Sequence, residues 1–395
     1  MHAQPLLHKL LTDVLPWMHR RRRTVLISAV SAALSSTRLT VTGLGRSMVS
    51  QAKEKHCIKR ADRLLSNGKL QQENGLVYQA MTQQIVGAAK RPVILVDWST
   101  LDDGAGLFLL RASTPVRGRA LTLYEEVHTL ADKEKPRVHQ KFLAKLHQFL
   151  PAPSCPIVIT DAGFRTPWFK EIEKLGWDWV GRIRNRHMVN LGTGWISCKV
   201  LYKQATLFPR ALGQVLMTQK NPINCSLVIY KALAKGRIEK NRRGVKTRRL
   251  QSRRNAACQR EPWLLATSLT GPDLAKQVVQ LYKTRMQIEE AFRDLKSARY
   301  GLGLSYSGTK KALRMRILVM IGSIALWLSW LLGKATEASG QHRNWQANTI
   351  RHRTVLSPIF IGLQVYNDGR MVLTSRLLAI AKNFLNSLVL DYDYA

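Results

Sequence analysis

Two short apolar runs, each closing on an aspartate, constrain this chain more than any other feature: "RPVILVDWST", with Asp97, and "CPIVITDAGF", with Asp161. Runs this short and this rich in Val and Ile read as buried strands. Around them "GLFLLRAS" and "RALTLYEEV" alternate as strands. "KPRVHQKFLAKLHQFL" and "TPWFKEIEKLGW" have helical periodicity, and "WDWVGRIRN" is a further strand. The order β-β-β-α-β-α-β predicts an α/β fold, a mixed sheet with helices packed against it. An aspartate at the end of a buried strand ordinarily caps a helix or opens a turn. Two such strands, if adjacent, would instead hold both carboxylates at one end of the sheet.

Charge narrows the partner. The chain has 395 residues, with 62 Lys+Arg against 25 Asp+Glu and a formal charge of +37. A hydrophobic content of 45% excludes a disordered basic tail. Such a charge calls for a polyanion, with nucleic acid ahead of an anionic membrane surface. The five cysteines are odd in number and never spaced C-x-x-C, which argues against a zinc finger or a disulfide framework and for reduced thiols in a cytoplasmic protein. "MHAQPLLHKLLTDVLPW" lacks a basic stretch followed by a long apolar run, so no signal peptide is expected. "ILVMIGSIALWLSWLL", Ile317–Leu332, falls short of the ~20 residues that span a bilayer. It reads as a buried core helix, with no membrane partner.

The pattern divides the chain into segments. Residues 1–90 are helical and basic, with the Arg20–Arg23 run, a turn at "TVTGLGRSM" and a helix "EKHCIKRADRLLSN" that clusters Lys55, Lys59, Arg60 and Arg63. Short helices bearing clustered cations suit a DNA-binding domain. Residues 91–185 carry the β/α order above. Residues 186–270 are β-rich, with strands "GQVLMT", "CSLVIY" and "WLLATSL" around a cationic loop over 231–254. That loop reads either as a solvated run or as a track for DNA. Residues 271–335 hold a long polar helix and the apolar one. Residues 336–395 form a C-terminal helical region.

The long helix includes "YKTRMQIEEAFRDLK". At about 100° per residue, Arg285, Glu289 and Lys296 fall near −60°, −20° and −40° of Tyr282, all approximate. Glu290 lies about 100° away from Glu289. The stripe reads as a solvated face with an Arg285–Glu289 pair, or as the edge of a site. In the second reading Glu289 joins Asp97 and Asp161 in an oxygen-only set suited to Mg²⁺ or Mn²⁺. Two such ions serve phosphodiester chemistry, and Arg285 and Lys296 would grip phosphates beside the scissile bond.

The signature Tyr282, Arg285, Glu289, Lys296, together with "LVDWST" and "VITDAG", resembles that of the insertion-sequence-four family of DDE transposases. The resemblance covers essentially the whole chain. It implies an RNase H-like core interrupted by a β-rich insertion domain. It implies Asp97, Asp161 and Glu289 as catalytic metal ligands, two Mg²⁺ or Mn²⁺ ions, and DNA contacts from Tyr282, Arg285 and Lys296. It implies cut-and-paste transposition through nick and hairpin intermediates on double-stranded DNA, both transposon ends and target, with a dimer in the paired-end complex. In such enzymes a tryptophan of the insertion domain stacks on a flipped base. Trp263, in "PWLLATSL", falls where that motif lies, and reads equally as a core residue opening an apolar strand. Trp98, beside Asp97, reads as core.

Overall fold

The structure, a computed structural model, describes residues 3–390 except 103, 105, 185–186, 234–244, 246–249, 251–260, 348, 351 and 369–372. The chain forms two compact units. One joins Met1–Pro156 to Met286–Tyr394, and the other is the continuous stretch Ile157–Arg285.

The first unit opens with helices α1 (Ala3–Val14), α2 (Arg20–Ser36), α3 (Val41–Ser47), α4 (Glu54–Leu65) and α5 (Gly68–Val86). The segment expected as a turn at "TVTGLGRSM" is thus a helix. Thr40 caps it by accepting from the Gly43 N–H at 2.9 Å. Gly45 faces α4, where an added Cβ would come within 2.4 Å of Ile58 Cα. The glycine therefore serves close helix approach rather than a turn. Strands β1 (Val93–Asp102), β2 (Leu107–Pro115) and β3 (Ala120–Thr129) follow as an antiparallel meander, then helix α6 (Pro136–Phe149). β1 runs on past Asp97 through Ser99 and Thr100, which pair with Leu109 and Phe108 of β2. Asp97 therefore lies within its strand, not at its end as the apolar run suggested.

The second unit contains β4 (Ile157–Thr160), α7 (Thr166–Lys174), β5 (Asp178–Ile183), β6 (Met188–Asn190), β7 (Trp195–Ser197), β8 (Arg210–Met217), β9 (Ile223–Tyr230), β10 (Trp263–Thr267) and α8 (Leu274–Lys283). Its strand order is β4-β5-β10-β9-β8-β6-β7. Only the β4–β5 pairing among these is parallel. Phe169 of α7 stacks on Trp179 of β5 with ring centroids 4.1 Å apart, fixing that helix on the sheet. The cationic loop over 231–254 lies almost wholly outside the described residues.

The first unit resumes with α9 (Met286–Lys296), α10 (Ala312–Ala338), α11 (Pro358–Asn367) and α12 (Ser375–Leu390). The expected single helix through Tyr282 and Lys296 is therefore two helices, α8 and α9, separated by a turn at Thr284 and Arg285. The Thr284 hydroxyl donates to the Leu281 carbonyl at 2.6 Å and satisfies an acceptor of the last α8 turn. The stripe read from a continuous helix holds within α9 for Glu289 and Lys296 and does not extend to Tyr282. α10 is long and apolar enough to cross a membrane, but 94% of its apolar window is buried inside the protein. It packs on α2, α5, β3, α11 and α12, as the core helix expected of Ile317–Leu332.

Candidate active site

Residue alternation puts Asp97 and Ser99 on one face of β1. Asp97 Oδ1 accepts the Trp98 N–H at 2.8 Å. Helix α9 covers the same face: the Lys296 ammonium donates to Ser99 Oγ at 2.6 Å and to the Thr100 carbonyl. Glu289 sits in the first turn of α9, where the helix dipole favours a carboxylate.

Three further contacts, none foreseen from the sequence, hold α9 in place. Gln287 Oε1 accepts from the Val116 and Gly118 N–H groups of the β2–β3 turn at 3.2 and 3.0 Å. Arg119 pairs with Asp294 at 2.6 Å. The Arg111 guanidinium lies 5.0 Å from the centre of the Phe292 ring. Burial raises the Asp294 carboxyl to about 6, a shift that Arg119 only partly offsets. Glu290 takes Arg293 at 3.1 Å and Arg119 at 3.9 Å, and so belongs to the docking contacts of the helix. Trp98 is half-buried, and its indole N–H donates to His139 Nε2 at 3.1 Å. Burial, with His128 nearby, lowers His139 to about 4, so the ring is a neutral acceptor at neutral pH.

In the second unit, Asp161 directly follows β4, and its Oδ1 accepts the Gly163 N–H at 2.8 Å. A Cβ at position 163 would stand 3.0 Å from that oxygen, so glycine keeps the carboxylate uncrowded. Trp263 opens β10 opposite Tyr230 of β9. Its ring meets Tyr230 at 5.7 Å and Tyr282 at 5.0 Å between centroids, both edge-on. Lys283 lies 5.5 Å from the Tyr230 ring and Arg285 5.9 Å from the Tyr282 ring. Trp263 is half-buried while Tyr282 is 4% exposed. The aromatic group therefore has a buried tyrosine, a partly open tryptophan and two cations at its margin. Tyr230 was not singled out in the sequence; its cross-strand register with Trp263 is the signal that identifies it.

The first unit thus holds Asp97, Glu289 and Lys296, with Lys296 fastened to β1 at Ser99, and the second holds Asp161, Trp263, Tyr282 and Arg285. Among the described residues, no three His, Cys, Asp or Glu side chains are gathered in a cluster that holds a metal ion. The chemistry of the candidate carboxylates, oxygen throughout, is that of a site for hard divalent cations.

Residues 88–327, more than half of the chain, match the family described as Transposase DDE domain. The chain belongs to that family, and is a metal-dependent DDE transposase, an enzyme of DNA recombination that cleaves and joins DNA. Comparison with curated proteins gave no match. Enzymes of this family use divalent metal ions, and the oxygen donors of Asp97, Asp161 and Glu289 fit that requirement.

Proposed function

We propose that this chain is a cut-and-paste transposase of the insertion-sequence-four group, nearest within it to the transposase of insertion sequence ten, acting on the ends of its own element. Its catalytic core is RNase H-like, drawn from residues 91–185 and 271–335, with a β-rich insertion over 186–270. The observation that carries this reading is the packing of α9 on the Asp97 face of β1, with Lys296 hydrogen-bonded to Ser99. It supports the reading by putting the helix that carries Glu289 on the strand that carries Asp97.

Asp97, Asp161 and Glu289 are the proposed ligands of two Mg²⁺ or Mn²⁺ ions. Bound there, the ions supply Lewis acidity to phosphodiester cleavage and transfer. Arg285 holds a phosphate beside the scissile bond, and its guanidinium offers a bidentate fork for that purpose. Tyr282 backs Arg285 and Trp263 from within the aromatic group. Lys296 keeps α9 on β1 and lends positive charge to the DNA path. Water nicks the DNA at the element end, and the freed 3′-OH attacks the opposite strand to close a hairpin. Water reopens the hairpin, and the 3′-OH joins target DNA. Trp263 stacks on the base unstacked by hairpin closure, a contact worth about 1–3 kcal/mol. The N-terminal helices read the element end, and a dimer pairs two ends. The protein works in the bacterial cytoplasm, on DNA.

The test is an assay with labelled duplexes taken from the DNA flanking the gene. Mg²⁺-dependent nicks, hairpins and joined products are expected. Cutting without joining would leave an RNase H-like nuclease. No metal-dependent change in the DNA would leave a basic scaffold.

A further inference from the structure

Asp97, Arg111 and Glu125 form one row across the β1-β2-β3 meander. β1 pairs Asp97 with Arg111, and β3 pairs Glu125 with Arg111. Directly opposed residues of an antiparallel sheet stand on the same face. That face is the one α9 covers, because Phe292 of α9 meets the Arg111 guanidinium. Arg111 is 0% exposed and Glu125 1%. Arg111 Nε donates to Glu125 Oε2 at 2.7 Å, and Nη2 lies 2.6 Å from the same oxygen. Glu125 Oε1 accepts from the Tyr78 hydroxyl of α5 at 2.8 Å and from the Ser323 hydroxyl of α10 at 2.6 Å. One carboxylate therefore binds two helices and, through Arg111, steadies a third against the sheet.

Stability alone gives a poor account of this pair. A buried ion pair recovers its desolvation only when its remaining N–H groups find acceptors. Arg111 Nη1 is buried without a hydrogen-bond partner, and Nη2 meets only the Glu125 oxygen that Nε already uses. An apolar side chain at 111 beside a neutral acceptor at 125 would fill the same space without burying a charge, and would still satisfy the Tyr78 and Ser323 hydroxyls. What the ion pair adds is direction. Glu125 fixes the plane of the guanidinium, and that plane offers Phe292 a rigid seat. Phe292 lies one turn beyond Glu289 on α9.

We propose that Arg111 is a positioning residue of the active site: held by Glu125, its guanidinium sets α9, and with it Glu289, against the strand of Asp97. The inference rests on the reading of Asp97 and Glu289 as metal ligands.

The test compares the full-length wild type with Arg111→Met/Glu125→Gln, Arg111→Lys and Asp97→Asn. Binding of Mn²⁺ is followed by electron paramagnetic resonance of the free ion with end duplex present, the duplex alone being subtracted. Each protein is also melted thermally. The double variant removes both buried charges, keeps an amide oxygen at 125 to accept from the Tyr78 and Ser323 hydroxyls, and is expected to melt at or above the wild-type temperature. Its Mn²⁺ affinity should fall by about tenfold or more, the usual cost of losing a group that orients ligands. Nicking should fall in parallel and recover partly at high Mn²⁺. Arg111→Lys keeps the charge but loses the flat fork, so it should weaken Mn²⁺ binding while remaining folded; it carries the test alone if the double variant does not fold. Wild-type affinity in a folded variant, or an affinity that falls only where the melting temperature falls with it, overturns the proposal. Asp97→Asn separates the two layers. Loss of Mn²⁺ binding in that variant, with none in the Arg111 variants, refutes the positioning role only. Full binding in Asp97→Asn refutes the ligand reading and the positioning role together.

Discussion

Lys296 reaches from α9 to the Ser99 hydroxyl at 2.6 Å, which fastens the helix of Glu289 to β1 two residues beyond Asp97. A hydrogen bond from a charged donor contributes about 1.5–3 kcal/mol. Lys296→Met should therefore lower the melting temperature of the DNA-free protein and slow nicking. Ser99→Ala should do less, since the Thr100 carbonyl still accepts from the ammonium. Thermal melts beside nicking time courses check both. Weaker end binding with a wild-type melt would make Lys296 a phosphate contact alone.

Asp97→Asn, Asp161→Asn and Glu289→Gln should each abolish cleavage and leave end binding nearly intact. Each removes a proposed ligand without adding repulsion toward phosphate. Glu290→Gln should cleave, because Glu290 engages Arg293 and Arg119. Gel-shift and cleavage assays on the same preparations decide this. A cleaving Glu289→Gln with a silent Glu290→Gln would exchange the two assignments.

Trp263→Ala should accumulate nicked DNA and slow hairpin closure by about 10–150-fold, if ~1–3 kcal/mol of stacking is lost. An abasic nucleotide at the flipped position should rescue part of the loss. Trp263 also braces Tyr230 and Tyr282, so the melt of the variant must be measured alongside. Equal loss at every step with a lowered melt would make it a packing residue only.

Affinity for end DNA should fall steeply with salt, by about 0.9 logarithmic units per decade for each neutralised phosphate. Deleting the cationic loop over 231–254 should flatten that slope and keep the preference for the cognate end. Binding isotherms over a salt series report slope and preference separately. Lost preference at an unchanged slope would move end reading from the N-terminal helices to the loop.

Asp294 predicts a pH signature. Its carboxyl is raised to about 6 in the folded protein, against about 3.9 when unfolded. The folded state therefore binds the proton more tightly. The stabilisation this gives is complete below pH ~4 and is lost as pH rises through about 6, to the extent of about 3 kcal/mol. Asp294→Asn should flatten denaturant stability over that window. An unchanged pH profile in Asp294→Asn would place the titration elsewhere.

The alternation of apolar runs and amphipathic stretches made the β-β-β-α-β-α-β order legible, because each run contains its own period. The helical position of Glu289 and Lys296 was legible for the same reason. Three features were not. The extension of β1 past Asp97 depends on Ser99 and Thr100 finding partners in β2, which local composition does not reveal. The α8–α9 break has neither glycine nor proline to mark it; Thr284 and Arg285 are ordinary helix residues, and the chain turns there between two separately packed units. Helix α3 was hidden because Gly43 and Gly45 look like turn punctuation, whereas the need for Gly45 arises from Ile58 on another helix. Arg111 and Glu125 were passed over for the same cause: a charged pair inside two strands becomes meaningful only once register sets the residues side by side.

The discontinuity of the first unit fixes the order in which the chain is able to complete itself during synthesis. Helices α1–α5 and the meander emerge early, but the helix that fills their interior, α10, comes from residues 312–338. Until those residues leave the ribosome, the apolar faces of α2, α5 and β3 have no permanent cover. The second unit lies wholly between the two segments of the first, so all of it is synthesised while the first unit still lacks α9 and α10. A nascent chain halted after residue 285 would hold an open half-core, a form prone to chaperone capture or proteolysis.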